Sequence, residues 1–322
     1  MKILVLGATG IQGTPTVREL IEDGHEVTGF TLPNDPKTDY MKELGVEMIF
    51  GNLLEADDLY NAMLGKDAVV FIPVIPTAGN PIPELNVGFN VITAAEKAGI
   101  NYLVHTSVNR GGEHESFERW GREFWESYRM YWLGKSYVID LVKACRIPHW
   151  TILKPAYMMD SFLPPKVMGM YPQLVEGKLV SARNSDTKVT MMCGDDIGKV
   201  IAQAFKDFDH FDGKEIDLAG DSVTMNEVTA AMSEVTGKKV TAVCKTKAEL
   251  MEDDEFEAAL KEVYKDFPGM DVSKVVGGTT DAFEWDNING YQVDIDKANS
   301  HGVRLSTFKE WAARHKDEFA IG

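Results

Sequence analysis

The chain has 322 residues, of which 44% are hydrophobic and 26% charged, with 28 glycines and 13 prolines. This composition excludes a collagen, a disulfide scaffold and a disordered polymer, and the length fits one elaborated domain or a large domain with a smaller lobe. With 33 basic against 50 acidic residues, the net charge of −17 opposes nonspecific attraction to polyanions, and no direct nucleic-acid partner is expected.

The opening apolar run turns glycine-rich at once, unlike a signal peptide, and belongs to the fold. No stretch combines the length and low charge of a membrane span, so the expectation is a cytoplasmic protein with no membrane partner. Cys145, Cys193 and Cys244 are too widely spaced for a zinc-ligand pair and read as reduced thiols, with no metal site.

In chain order, residues 2–6 read as a buried strand, 14–23 as a helix broken at Gly24, and 25–30 as a second strand, a βαβ opening. Strands follow at 46–50 and 68–72 with a helical crossover at 57–64 between them, then a helix at 86–98 and a strand at 102–106. Crossovers of this length return the chain to the same strand direction, so the sheet is parallel. A long helical region at 115–146 leads to a strand at 150–154, ended by Pro155. Beyond it, helices at 194–205 and 225–234 and strands near 214–218 and 239–243 suggest a second region. The acidic run 251–255 caps or decorates a helix, and 305–311 forms a small amphipathic helix that packs back on the lobe. The expected fold is α/β, a Rossmann-like parallel sheet flanked by helices with a smaller interleaved C-terminal α/β lobe. By this reading residues 1–155 are expected to form the sheet core and 156–322 mainly the smaller lobe, with some segments returning to the core.

The strongest chemical signal is Gly7-x-x-Gly10-x-x-Gly13 between the first strand and its helix. Gly7 permits the sharp turn, Gly10 lets the backbone approach a pyrophosphate, Gly13 lets the helix pack closely, and the helix N-terminus offers amide donors to an anion. The candidate dinucleotide ligands are therefore Gly7, Thr9, Gly10, Ile11, Gln12 and Gly13. No Gly-Lys-Ser/Thr ending follows, which excludes a phosphate-loop nucleotide triphosphatase. The second strand ends in Phe30-Thr31-Leu32-Pro33-Asn34, with neither a terminal acidic residue for a ribose diol nor an immediate arginine for a 2′-phosphate. Thr31, Asn34 and Lys37 are candidate ribose or phosphate contacts or plain loop residues. Both NAD and NADP stay open, with NADP preferred. Asn52 and Leu53 would border adenine, and Ile72, Pro73 and Val74 the nicotinamide side.

These motifs together resemble the NmrA-like family of atypical short-chain dehydrogenase/reductases. The resemblance runs through the glycine loop, Gly51-Asn52-Leu53, Asn90-Val91-Ile92-Thr93-Ala94-Ala95, His105-Thr106-Ser107 and Gly134-Lys135. It continues through Ile152-Leu153-Lys154-Pro155-Ala156-Tyr157-Met158-Met159-Asp160, Asp195-Asp196-Ile197-Gly198 and Gly290-Tyr291. It implies an NAD(P)-binding core with a smaller C-terminal substrate lobe, in a family that holds both reductases of quinones or other small organic substrates and regulatory dinucleotide-binding proteins. The family's common arginine-containing stretch after the second strand is replaced here by Thr31-Leu32-Pro33-Asn34.

Tyr131 and Lys135 stand four positions apart, on neighbouring turns of one helical face, and Ser107 lies at the end of a strand. The set resembles the serine, tyrosine and Tyr-x-x-x-Lys arrangement of active short-chain reductases. Lys135 would hold a cofactor ribose and lower the proton affinity of the phenol, Tyr131 would donate a proton to the substrate oxygen, and Ser107 would orient that oxygen. Alternatively, Tyr131 packs among Trp125, Tyr128 and Trp132, Lys135 faces solvent and Ser107 only closes a strand. His105 is a candidate donor near the nicotinamide, and His114 a candidate at the pocket entrance. Phe117, Trp120, Phe124, Trp125, Tyr128, Tyr131 and Trp132 line a cleft or pack the helix, while Trp132, Tyr157 and Met158 are candidate substrate contacts. The reading is an NAD(P)-dependent oxidoreductase reducing a small quinone-like or carbonyl compound. The alternative is a non-catalytic NAD(P)-sensing protein with a regulatory protein partner; the chain is read as a monomer or homodimer.

Overall fold

A computed structural model of the chain describes residues 1–73, 82–120, 126–265 and 271–322, without the side chains of 82, 83 and 126–128. The first half alternates strand and helix: β1 (Lys2–Leu6), α1 (Gly13–Glu22), β2 (Glu26–Thr31), α2 (Thr38–Glu43), β3 (Glu47–Phe50), α3 (Ala56–Met63), β4 (Ala68–Phe71), α4 (Ile82–Ala98), β5 (Tyr102–Thr106), α5 (Glu126–Ala144) and β6 (His149–Pro155). The chain then forms β7 (Tyr157–Met158), α6 (Lys166–Met170), β8 (Lys178–Ser181) and β9 (Val189–Met192), before α7 (Gly194–Lys206), α8 (Phe208–Phe211) and β10 (Lys214–Leu218). The remainder comprises β11 (Asp221–Val223), α9 (Met225–Thr236), β12 (Thr241–Cys244), α10 (Lys247–Met251), α11 (Asp254–Val263), α12 (Val272–Ile288), α13 (Ile295–Asn299) and α14 (Phe308–Arg314).

The main sheet is parallel throughout, in the order β10-β6-β5-β4-β1-β2-β3. Side chains of a strand alternate between faces. Ile3 and Val5 accordingly join Val17 and Leu20 of α1 and Val200 and Ile201 of α7 in one buried layer. Leu4 and Leu6 join Leu59 of α3, Val91 of α4 and Val138 of α5 in the other. The strand order reverses between β1 and β4, which opens a crevice at the carboxyl ends of these strands, where ligands of such sheets bind.

Chain from beyond Pro155 completes the core: β10 pairs with β6, and α7 packs against α1. That approach depends on small residues. A side chain at Gly194 would meet the Ile11 carbonyl at 2.5 Å, and one at Gly198 the Pro15 backbone at 2.7 Å. The lobe has its own core of Phe162, Tyr171, Met225, Phe256, Phe283, Phe308 and Trp311, with a three-stranded sheet β11-β9-β7 and a parallel pair β12-β8. Wholly buried Arg183 pairs with Asp286 at 2.7 Å, donates to the Tyr171 hydroxyl at 2.6 Å and lies over the Phe283 ring. These contacts satisfy a charge that would otherwise be prohibitive to bury.

Two expectations change. The region 115–146 is not one helix: His114–Ser116 is a single 3-10 turn, Phe117 is extended, and α5 is described over Glu126–Ala144. A helix at Val272–Ile288 was not legible, because its Val-Val-Gly-Gly-Thr-Thr run has poor intrinsic propensity and is held by Asp271 capping and by packing on α5, α10 and α11. As expected, the acidic run caps a helix: Asp253 accepts from the amides of Glu255 and Phe256 at the start of α11. Two glycine substitutions should separate packing from propensity. Gly198→Val should lower the unfolding free energy by about 1–3 kcal/mol, whereas Gly277→Ala, in α12 with nothing within 4 Å of the added carbon, should raise it by about 0.5–1 kcal/mol in denaturant melts.

Candidate functional site

The glycine loop leaves β1 through Gly7, whose φ of 82° suits glycine. The Gly10 amide donates back to the Gly7 carbonyl at 3.0 Å, and a Cβ at Gly13 would overlap that same carbonyl. The first turn of α1 carries no acidic residue, and Gln12 at its N-cap makes no side-chain cap. The amide end of the helix therefore keeps its partial positive charge, and the cradle fits a dinucleotide pyrophosphate. Gln12 Nε2 points to the Met158 sulfur at 3.9 Å, which ties the loop to the first lobe strand.

At the end of β2 the structure supplies the acid that the strand terminus lacks. Asn34 turns the chain at φ 66°, and Asp35 folds back over the loop. Its Oδ2 accepts from the Thr9 hydroxyl at 2.8 Å and the Thr31 hydroxyl at 3.1 Å, and its Oδ1 from the Lys37 amide at 2.9 Å. Partial burial opposes ionisation, but these donors outweigh it and hold the carboxyl below its ordinary range. Thr9 and Thr31 are thus joined, while the side chains of Asn34 and Lys37 are exposed. The Asn52 side chain accepts from the Leu54 amide, serving its own turn, and Leu53 is half-buried beside α3. Pro73 follows β4 at the strand-order reversal, and Val74 lies outside the described residues.

His105 and Ser107 share the face of β5 covered by α4 and α5. His105 is wholly buried, stacks on Phe71 at 4.8 Å and places Nδ1 3.1 Å from the Phe71 carbonyl. A carbonyl only accepts, so Nδ1 carries the proton and Nε2 is a bare acceptor. The expected donor is therefore an acceptor. Burial pushes its pKa down to about 3, against the hydrogen bond to Phe71 and with the Lys135 charge adding to the depression. Among the described residues neither His105 Nε2 nor Ser107 Oγ has a hydrogen-bond partner, although both are buried. Ser107 is fixed by its amide, which donates to the Leu153 carbonyl at 2.8 Å, and a Cβ at Gly111 would stand 2.8 Å from Ile139 of α5 and 3.5 Å from the Ser107 hydroxyl.

On α5, Lys135 does not face solvent. Its ammonium lies 2.7 Å from Glu84 Oε1 of α4, with both side chains buried, and 5.5 Å from the centroid of the Tyr131 ring. The approach to Glu84 is ionic and off the hydrogen-bond axis. Half-buried Tyr131 meets Trp132 edge-on at 5.2 Å. Trp132 itself is wholly buried between Phe117 and Trp285, which puts it in the packing and not on an open cleft. His114 is buried against Trp120. The side chains of Phe124, Trp125 and Tyr128 lie outside the described residues. Tyr157 is also buried: its hydroxyl hydrogen-bonds to that of Tyr171 at 2.9 Å, and burial raises its pKa well above the ordinary value. It belongs to the lobe core, whereas Met158 reaches the glycine loop.

Sequence reasoning missed Asp35 and Glu84. Asp35 was hidden because the Pro33-Asn34-Asp35-Pro36 turn, not the strand, delivers it. Glu84 had a signal: it shares the apolar stripe of α4 with Val87 and Val91, where a lone carboxylate needs a partner.

The strand order, the glycine cradle and the crevice define a Rossmann-like α/β protein. Residues 1–292 match the model of the NmrA-like family, and the chain belongs to that family. Solved structures share the fold at low identity. A triphenylmethane reductase of Citrobacter sp. superposes with a TM-score of 0.76 at 18% identity, over 98% of this chain and 100% of that one. The NADPH complex of an Escherichia coli NADPH-dependent quinone oxidoreductase gives 0.73 at 18%, over 97% and 99%. NmrA, a negative transcriptional regulator, in complex with NADP gives 0.67 at 19%, over 97% and 94%. No helix among the described residues is long and apolar enough to cross a membrane. Nitrogen-detected NMR should show His105 as the Nδ1–H tautomer with no titration between pH 5 and 8; a midpoint near the ordinary value of 6.5 would contradict the buried, neutral ring.

Proposed function

We propose that the protein is an NAD(P)-dependent oxidoreductase that reduces a small quinone-like or carbonyl compound. The observation that carries this reading is the unpartnered Ser107 hydroxyl at the end of β5, set near the α5 face that bears Tyr131 and Lys135. Gly7, Gly10, Gly13 and the amides around Ile11 and Gln12 hold the pyrophosphate, and Pro73 borders the nicotinamide. When bound, the reduced dinucleotide supplies the hydride. Lys135 holds a ribose hydroxyl and stabilises the Tyr131 phenolate, which makes the phenol a better proton donor to the substrate oxygen. Ser107 donates to that oxygen and regains the hydrogen bond it lacks inside the protein.

The preference for NADP rested on the missing acid after β2, and Asp35 reverses it. An ionised carboxylate beside Thr9 and Thr31 accepts from a ribose diol and repels a 2′-phosphate, so NAD is the favoured dinucleotide. A second reading, a dinucleotide-sensing regulator with a protein partner, draws support from the edge-on packing of Tyr131 against Trp132, which uses the phenol ring structurally.

Oxidation of NADH and NADPH with a panel of quinones and carbonyl compounds tests both readings. Turnover should appear, and Tyr131→Phe should lower kcat by roughly 10²–10⁴-fold with dinucleotide affinity kept. Tight dinucleotide binding without turnover on any substrate would favour the regulator. NADH should be preferred over NADPH by roughly tenfold or more in kcat/KM, and Asp35→Arg should invert the preference; an unchanged ratio in that variant would remove Asp35 from the recognition of the ribose.

A further inference from the structure

We infer that Glu84 is a positioning residue that holds the Lys135 ammonium in place. The inference rests on the reading of Lys135 as a dinucleotide contact. Lys135 is 6% exposed and Glu84 4%. An ammonium at that depth is costly to bury unless a negative charge stands beside it. Among the described residues the surroundings offer few partners. From β5 comes His105, neutral and with a bare nitrogen, and from β4 comes the Phe71 ring beneath it. From α5 itself comes the Tyr131 ring, and from α12, also packed on α5, Trp285 stacks on Trp132. The 3-10 turn at His114–Ser116 directs its histidine to Trp120. Among these groups Glu84 supplies the negative charge.

The contact is built by the helix pair that carries it. One turn beyond Glu84 on α4, Gly88 faces Val138 of α5, and a Cβ at Gly88 would stand 2.6 Å from a Val138 methyl. The missing side chain lets α4 and α5 close at this level, which brings a short carboxylate arm to the lysine. Because the ion pair lies off the hydrogen-bond axis, the N–H donors of Lys135 stay available for ligand hydroxyls while the charge is balanced.

The test measures NADH affinity by fluorescence titration from pH 6 to 9. In the wild-type protein affinity should be flat across this range. In Glu84→Gln affinity should match the wild type near pH 6 and fall by roughly tenfold as pH rises. Glu84→Asp should restore part of the flat profile. Lys135→Met should bind weakly at every pH, and Glu84→Gln/Lys135→Met should behave like Lys135→Met. If Glu84→Gln fails to fold while the double variant folds, the unpaired lysine is the cause, which also supports the assignment. A folded Glu84→Gln with the wild-type profile overturns it, leaving Lys135 as a dinucleotide contact. Unchanged affinity in Lys135→Met would instead defeat the underlying reading of Lys135.

Discussion

The constraint on which the rest of the molecule depends is the missing side chain at Gly13. Because nothing projects from that position, α1 starts against the turn that leaves β1, and the Gly7 carbonyl occupies the space a Cβ would need. The same economy recurs at the next layer: Gly194 and Gly198 let α7 lie against Ile11 and Pro15, so a segment from the second half of the chain buttresses the loop from behind. β10, which follows α7, then closes the sheet beside β6. The cradle, the core layer and the return of the C-terminal chain are therefore one packing problem, solved by close backbone approach.

In the lobe, Arg183 is completely enclosed, and Asp286, Tyr171 and the surrounding rings answer its charge. At the carboxyl end of the sheet, His105 Nε2 and Ser107 Oγ are left unanswered, and Lys135 is answered only by charge. Leaving a buried hydroxyl or ring nitrogen unpaired costs about 1–3 kcal/mol each. Folding alone gains nothing from that cost at His105 and Ser107, which lie together at the crevice end of β5.

The periodic features were the legible ones. The strands from β1 to β6 and the crossovers α1, α3 and α4 followed from apolar runs and glycine breaks, because burial on both faces of a parallel sheet leaves a continuous hydrophobic signature. The glycine loop was legible for the same reason that it folds, since its spacing states the steric requirement directly. What stayed hidden depends on tertiary placement. Asp35 acts through a turn that reverses it onto Thr9 and Thr31, Glu84 through the closeness of two helices, and α12 through packing that overrides weak propensity. Trp132 shows the converse: its spacing suited a cleft, but Phe117 and Trp285 enclose it.

The loop that bears Ser107 is held from two sides, and this links the crevice to the lobe. On the core side its backbone continues the β5–β6 pairing, with the amides of Ser107 and Asn109 donating to the Leu153 and Pro155 carbonyls. On the other side the Asn109 side chain both accepts from the Gln292 amide and donates to the Gln292 carbonyl, while Arg110 donates to the carbonyls of Asn289 and Gly290. Those residues directly follow α12, whose Trp285 packs on Trp132 of α5 and whose Asp286 holds Arg183 in the lobe core. The backbone at Ser107 is thus held by the core and the lobe together. A change in the lobe that moves the end of α12 acts on both the serine loop and the helix carrying Tyr131 and Lys135.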